Sequence, residues 1–482
     1  MDESVLSRYQ PVIGLEVHIQ LLTESKLFAR DANQYGDAPN TNISAITLAH
    51  PGTLPKLNKE ALKLAIKMGL ACGSAISQYM IFDRKNYFYP DLPKGFQLTQ
   101  DRTPICIGGC ISIKTSQGTR DIQLNRIHLE EDAGKSFHPE ESKQSLVDFN
   151  RAGTPLIELV TEPVIHSSEE AFQLLSEIRK LVTFLGICDG NMEQGSLRCD
   201  CNVSVRPTGE TALGKKVEIK NMNSVRNVRR AIEKEVDRQI GELEKGKEII
   251  SETRSFDEKT GGSSSMRTKE EVNDYRYFPE PDLSPVQISD EWLARIKTEM
   301  PTLPAELKQG LEKQYAFNEE DALFLVDSVD TYNYFKEAVQ QQDYPEAILN
   351  WLKGPVQSYL KDQNLTVAEF LLKPAQIAQL AALTAEKVSF SIAAQKILPE
   401  LLKAPNQTPK AVADRLGLLE AQDMGSLEPV VLEILESFPD KVAAYQNGKK
   451  GLLGFFMGQL MKKTNSTVDP RVANELLAKH LN

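Results

Sequence analysis

The sequence has no run of about 18 consecutive apolar residues, so nothing in it reads as a membrane-spanning helix. Its opening stretch, MDESVLSRYQPV, lacks the basic and apolar segments of a secretory leader. A cytoplasmic protein with no membrane association is the expectation. Cysteine is sparse. Cys72, Cys106, Cys110, Cys188, Cys199 and Cys201 show no paired C-x-x-C spacing, and in a reducing compartment they are expected as free thiols. Positive charge is also short: 56 Lys and Arg against 67 Asp and Glu give a net charge of −11. That excludes a uniformly basic nucleic-acid coat protein and confines any RNA contact to local patches. No internal repeat is visible.

Common nucleotide and amidase fingerprints are missing too. There is no G-x-G-x-x-G segment, so a Rossmann site is unsupported. Ala133-Gly134-Lys135-Ser136 imitates the end of a P-loop, but Leu129 stands where its first glycine belongs, and Glu130-Glu131-Asp132 would repel phosphate. Neither a G-x-S-x-G elbow nor a Cys/His amidase signature is present. A glutaminase would have to come from a partner.

What is present is an ordinary globular composition, 41% hydrophobic and 26% charged over 482 residues, enough for two to four domains at roughly 100–200 residues each. The proline-rich stretches Pro279–Pro285, Pro301–Pro304 and Pro405–Pro409 punctuate the chain. They suggest three units: 1–295, carrying strands and turns, then helical units 296–404 and 405–482.

In the first unit, Ile13, Leu15, Val17, Ile19 and Leu21 alternate with Gly14, Glu16, His18 and Gln20. The same alternation puts Arg198, Asp200, Asn202 and Ser204 on one face of 197–205, and Glu218 and Lys220 on one face of the strand at 217. These read as half-buried strands of an antiparallel sheet. Helices with stripes Phe172, Leu175, Ile178, Val182, Leu185 and Val225, Val228, Ile232, Val236, Ile240, Leu243 would cover its apolar side. The first begins at Ser167-x-x-Glu170, the pattern of a capping box. The fold class is α+β.

Glu16 and His18 stand roughly 6.5–7 Å apart on one strand face, close enough to converge on a divalent ion. Glu130 and Glu131 point to opposite faces, so only one can join them. Ile122 and Leu124 differ in parity from Ile127 and Leu129, which places a β-bulge between the pairs. A face collecting Glu16, His18, one of Glu130 and Glu131, Asp200 and Glu218 needs opposing charge. Mg²⁺, a hard cation that bridges phosphates, would supply it, with Arg198 and Lys220 neutralising the phosphates. The aromatic turn Asn86–Gly95, with Tyr87, Lys85 and Lys94, would wall a pocket, and the loop 261–269, with Arg267, would form a lid. Lys449, Lys450, Lys462 and Lys463 flank an acid-free stretch suited to a phosphate backbone.

Taken in order, Val12–His18, Lys85–Gly95, Leu129–Lys135, Asp148–Leu156, Arg198–Ser204 and Asp274–Asp282 make the chain resemble, over nearly its whole length, the B subunit of the aspartyl/glutamyl-tRNA amidotransferase. That resemblance implies a catalytic cradle domain with a glutamine-synthetase-like antiparallel sheet, an all-α helical domain and a small all-α tail that binds tRNA. It implies ATP and Mg²⁺ as cofactors. A mischarged Glu-tRNA or Asp-tRNA would be phosphorylated on its side-chain carboxylate and amidated with ammonia. The ammonia would come from a partner, the amidase (glutaminase) of the complex, and a further small protein would complete the heterotrimer. Carried over by position, Glu16, His18 and Glu131 are the metal ligands. Glu130, Asp200 and Lys220 join the catalytic set, and Arg198, Glu218 and Arg267 the nucleotide site, with Lys94 and Tyr87 along the ammonia exit. One departure stands out. Where relatives carry C-x-C after Lys-Leu-Phe and a later C-x-x-C, this chain has Ala29-Arg30-Asp31 and the pair Ser44 and Thr47. No structural zinc is expected, and packing should hold that loop. A stand-alone ligase acting on a free amino acid, and a non-catalytic tRNA scaffold, are the alternatives.

Overall fold

The period-two segments of the first 300 residues assemble, in the computed structural model, around one long strand. That model describes residues 5, 7–139, 144–268, 274–419, 424–464 and 470–481. The strands that matter for function are β1 (Tyr9–Gln20), β2 (Asp83–Asn86), β3 (Phe96–Thr99), β4 (Cys110–Thr115), β5 (Gly118–Glu131), β6 (Pro155–Thr161), β7 (Leu197–Pro207), β8 (Val217–Met222), β9 (Glu252–Phe256) and β10 (Ser263–Thr268). A ten-stranded sheet runs in the order β10-β9-β8-β7-β1-β6-β5, continues through the two-residue strands Cys106–Ile107 and Ala75–Ile76, and has β4 paired beside β5. β2 and β3 form a separate hairpin joined by Phe278–Pro279.

The sheet is mixed rather than antiparallel throughout, because β8 and β9 pair in parallel. The cause is the helix between them. A parallel neighbour must be reached by a crossover rather than a tight turn, and the helix Val225–Leu243 makes it.

One sheet face is apolar. Ile13, Leu15, Val17 and Ile19 of β1 are fully buried, as are Leu197, Cys201 and Val203 of β7 and Ile219 of β8. Three helices cover that face: α1 (Lys59–Ala71), α2 (Ser168–Phe184) and α3 (Val225–Leu243). Each aliphatic side chain removed from water here contributes about 1.5–3 kcal/mol. Ser167 caps α2 by accepting the Glu170 amide at 3.1 Å. The expected reciprocal half of the capping box is absent. The Glu170 carboxylate accepts the His166 amide instead, at 2.7 Å, and pairs with Arg120. α3 buries Glu235 and Gln239 as well as its apolar stripe, and the Glu235 carboxylate receives Arg238.

The loop expected to rest on packing is closed by hydrogen bonds. The Asp31 carboxylate accepts from the Ser44 hydroxyl at 3.0 Å and from the Thr47 hydroxyl.

The chain divides into two compact units, residues 1–304 and 305–482. The helix Asp290–Thr298 belongs to the first, burying Ile296 in its core. The second is helical. Trp351 and Phe335 are fully buried, and helices Met424–Ser437, Leu453–Lys463 and Pro470–Leu481 close an apolar core around Val431, Phe456, Leu460 and Leu477. No helix among the described residues is long and apolar enough to cross a membrane.

Candidate active site

Three central strands bring a compact ionisable cluster together on the polar sheet face. In the antiparallel register, His18 of β1 lies opposite Glu158 of β6 on one side and Arg198 of β7 on the other. Glu158 in turn lies opposite His128 of β5, two residues before Glu130. His18 Nε2 is 3.4 Å from Glu158 Oε2 and 3.6 Å from Glu130 Oε1. From the other side His128 Nε2 is 3.4 Å from Glu158 Oε2 and 3.7 Å from Glu130 Oε2. One ligand atom from each of His18, Glu130 and Glu158 falls within 4.8 Å of the others, a donor set able to hold a metal ion.

The parity of β5 decides which glutamate joins. The β5–β6 register skips one residue at Asn125, between Leu124 and Arg126. Beyond the skip, Ile127, Leu129 and Glu131 take the core side, while His128 and Glu130 face His18. Glu131 therefore does not meet Glu16 and His18. It pairs with Lys94 and accepts the Leu98 amide at 2.9 Å. Glu131 and Lys94 line a cavity of about 250 Å³ with Lys26, Phe28, Phe96 and Glu280.

A larger cavity, about 580 Å³, opens over the polar face and is lined by His18, Lys85, Tyr87, Glu130, Arg198, Asp200 and Lys220. Asp132 borders both cavities. Its carboxylate receives Arg198 at 2.8 Å and Gln20 at 3.1 Å, with Arg151 at 3.6 Å. Glu16 is held by the Asn202 amide at 2.7 Å. Lys220 bridges Asp200 and Glu218. Tyr87 packs edge-on against Tyr275, and Lys85 lies 5.0 Å from the Tyr275 ring centre. β10 runs through Arg267, whose side chain lies outside the described residues.

Electrostatics follow the cluster. Burial pulls the His18 imidazole down, but Glu158 and Glu130 outweigh it and its pKa is raised. His128, equally buried, is pushed up to about 9 by the same two carboxylates. Burial raises Glu158, yet His128 and His18 hold it well below the usual range. Lys85 is raised because Glu130 and its neighbours overcome its burial. Asp132, though buried, is held low by Arg198 and Arg151. Among the described residues, three buried polar atoms on this face find no hydrogen-bond partner: His128 Nδ1, Arg198 Nε and Asn202 Oδ1. The face holds unspent hydrogen-bonding capacity, which suits a site that binds a ligand.

Comparison with known proteins is consistent along the chain. A family model described as the GatB/GatE catalytic domain matches residues 11–294, and one described as the GatB domain matches 333–481. The B subunit of the aspartyl/glutamyl-tRNA(Asn/Gln) amidotransferase of Thermosynechococcus vestitus is 45% identical over 98% of this chain and 97% of its own length. The proteins of the same name in Thermodesulfovibrio yellowstonii and Pelodictyon phaeoclathratiforme are each 44% identical, over 98% of this chain and 99% of their own.

The chain belongs to the GatB family.

Within the GatB catalytic match lies every residue of the polar cluster and of both cavities. Sequence reasoning reached Glu16, His18, Glu130, Arg198, Asp200, Glu218 and Lys220 on this face. It missed Glu158 and His128. Their signal was a lone acid within the apolar strand Leu156-Ile157-Glu158-Leu159, and a histidine sharing Glu130's parity.

Proposed function

We propose that the polar sheet face of residues 1–304 activates the side-chain carboxylate of a mischarged Glu-tRNA(Gln) or Asp-tRNA(Asn) with ATP, ahead of its conversion to the amide. Membership of the GatB family makes the chain one component of a tRNA-dependent amidotransferase, a glutamine-dependent ligase, and implies ATP use. The observation that carries the reading is the convergence of His18, Glu130 and Glu158 beside a cavity that also presents Arg198, Lys220 and Lys85.

The chemistry requires such a site. A carboxylate cannot be attacked by ammonia directly, because oxide would have to leave. A carboxylate oxygen attacks the γ-phosphorus of ATP, the bond to the β–γ bridging oxygen breaks, and ADP leaves. Ammonia then adds to the acyl carbon, inorganic phosphate departs with the C–O bonding pair, and a proton is lost from nitrogen to give the amide. Negative charge accumulates at each stage, and fixed positive charge stabilises it. Arg198, steadied by Asp132, and Lys220 hold phosphate oxygens, and Lys85 adds a third cation.

The donor set fits a divalent ion: two carboxylates and one imidazole, with Asn202 orienting Glu16 nearby. Mg²⁺ held by His18, Glu130 and Glu158 would neutralise phosphate oxygens there. Glu16 belongs to the surrounding shell. Lys94 and Glu131, in the cavity that meets the first at Asp132, mark the ammonia route, with Tyr87 at its far side. The cradle corresponds to a glutamine-synthetase-like domain followed by a helical domain, 296–404, and a tRNA-binding tail, 405–482. A glutamine-hydrolysing amidase and a further small protein complete a cytoplasmic heterotrimer.

The test uses the assembled complex. ADP should form with mischarged tRNA and not with free glutamate. ADP formation with free glutamate alone would replace this reading with that of a stand-alone ligase.

A further inference from the structure

The helix layer behind the sheet carries charge in an arrangement that folding alone does not favour. In α3, Arg226, Arg230, Lys234 and Arg238 recur every four residues. With a rise of 1.5 Å per residue, that spacing sets them along one ridge, about 6 Å apart. Like charges four residues apart on a helix repel. The ridge also starts at the unfavourable end. The partial positive charge of a helix N-terminus attracts acids, yet the first turn of α3 holds none, and Arg226 is its second residue. The neighbouring helix α2 opens in the usual way, on Glu169 and Glu170.

Nearby carboxylates are engaged elsewhere. Glu233 accepts from Ser168 at 2.9 Å and from Arg229 at 3.0 Å, and Glu169 pairs with Arg229 at 2.8 Å. Glu258 accepts from Asn223 at 3.0 Å. Arg238 pairs with Glu235 at 2.6 Å. Asp237 stands beyond Lys234, at the far end of the ridge. Among the described residues, Arg226, Arg230 and Lys234 have no ion-pair partner, and all three are exposed. Arg230 is nonetheless held in place. It donates to Asn227 Oδ1 at 3.4 Å and lies 5.9 Å from the Phe256 ring centre. It also rests on the turn at Gly261, where an added Cβ would stand 2.7 Å from Arg230 Nη2.

The ridge begins at the rim of the larger cavity, because Asn221, Met222 and Asn223, which lead from β8 into α3, line that cavity. We propose that Arg226, Arg230 and Lys234 form a track for the phosphate backbone of the substrate tRNA, next to its aminoacylated end. Three cations in succession can each meet the phosphate of a neighbouring nucleotide, which adds affinity without reading sequence. With no aromatic among them, they suit a backbone rather than stacked bases. The helix N-terminus reinforces the first of them. The repulsion along α3 is relieved when the polyanion arrives. The inference rests on the reading of the larger cavity as the place where the aminoacyl carboxylate is activated.

The experiment measures binding of Glu-tRNA(Gln) to the assembled complex by filter retention across a salt series. In Arg226→Gln/Arg230→Gln/Lys234→Gln, affinity at low salt should fall about tenfold or more, and the log–log slope should be shallower by about 2–3, at 0.7–0.9 for each lost phosphate contact. In transamidation, KM for the charged tRNA should rise by the same factor while kcat holds. ATP affinity should not change. Arg226→Lys/Arg230→Lys should keep the wild-type slope, since a point charge is enough, and so should Arg229→Gln, which removes an arginine that already has carboxylate partners. Wild-type affinity and slope in the folded triple variant would overturn the inference while leaving the activation site in place. Loss of a partner subunit from the purified variant complex would also overturn it, by making the ridge a protein contact. A wild-type complex that forms ADP with free glutamate and no tRNA would overturn the reading beneath it.

Discussion

At the scale of single residues, the site is a set of charges whose partners were chosen by strand register. His18→Ala or Glu158→Gln removes a donor from the set that converges on the polar face, and transamidation should drop by about 10²–10³-fold. Glutamine hydrolysis by the assembled complex should remain, which a coupled ammonia assay reads directly. Glu131→Gln should behave differently, because Glu131 turns away from His18 and pairs with Lys94 in the smaller cavity. ADP formation should persist while amide yield falls, as measured by acid-gel separation of the charged tRNA. Lys26 offers a pH test. It is fully buried, donates to the Asn42 carbonyl at 2.7 Å, and burial lowers its pKa to about 8. The unfolded chain holds that proton up to about 10.5. Between those values the unfolded state binds more protons, so stability rises with pH. Relative to Lys26→Met, the wild type should gain up to about 3 kcal/mol between pH 8 and 10.5 in denaturant titrations of the first unit.

At the scale of elements, much of the site was legible because alternation is a strong signal. The parity of β1 and β7 alone put Glu16, His18, Arg198 and Asp200 on one surface, where the register then aligned them. The mismatch between Ile122, Leu124 and Ile127, Leu129 announced the irregularity that the structure places at Asn125. The resemblance put Glu131 among the ligands, but beyond the skip the buried Ile127 and Leu129 carry Glu131 to the core side and leave Glu130 on the polar face. Glu158 escaped notice because its acid is the only charged residue in the run Pro155–Thr161, where Leu156 and Val160 on the same face are apolar and mask the alternation. The parallel pairing of β9 was hidden for another reason: strand direction is set by the crossover α3, not by composition. Deleting Asn125 should send Ile127 and Leu129 to the polar face and Glu130 to the core. Each misplaced aliphatic costs about 1.5–3 kcal/mol, before the cost of burying a carboxylate. Such a chain should not yield a folded first unit by near-ultraviolet circular dichroism.

At the scale of the whole molecule, the acidic balance confines tRNA contact to local basic surface. Lys449, Lys450, Lys462 and Lys463 lie at the ends of an acid-free helical stretch in the second unit. A chain lacking residues 405–482 should bind tRNA more weakly while keeping its affinity for ATP. Its binding should also depend less on salt, by about 0.7–0.9 in log–log slope for each lost phosphate contact. Filter binding across a salt series distinguishes this from general misfolding, which would remove both affinities.

The clasp between Asp31, Ser44 and Thr47 shapes one wall of the smaller cavity, which Thr47 lines. Its side chains meet through oxygen atoms and carry no thiol for an oxidant to attack. Peroxide should leave that wall, and the cavity it borders, intact.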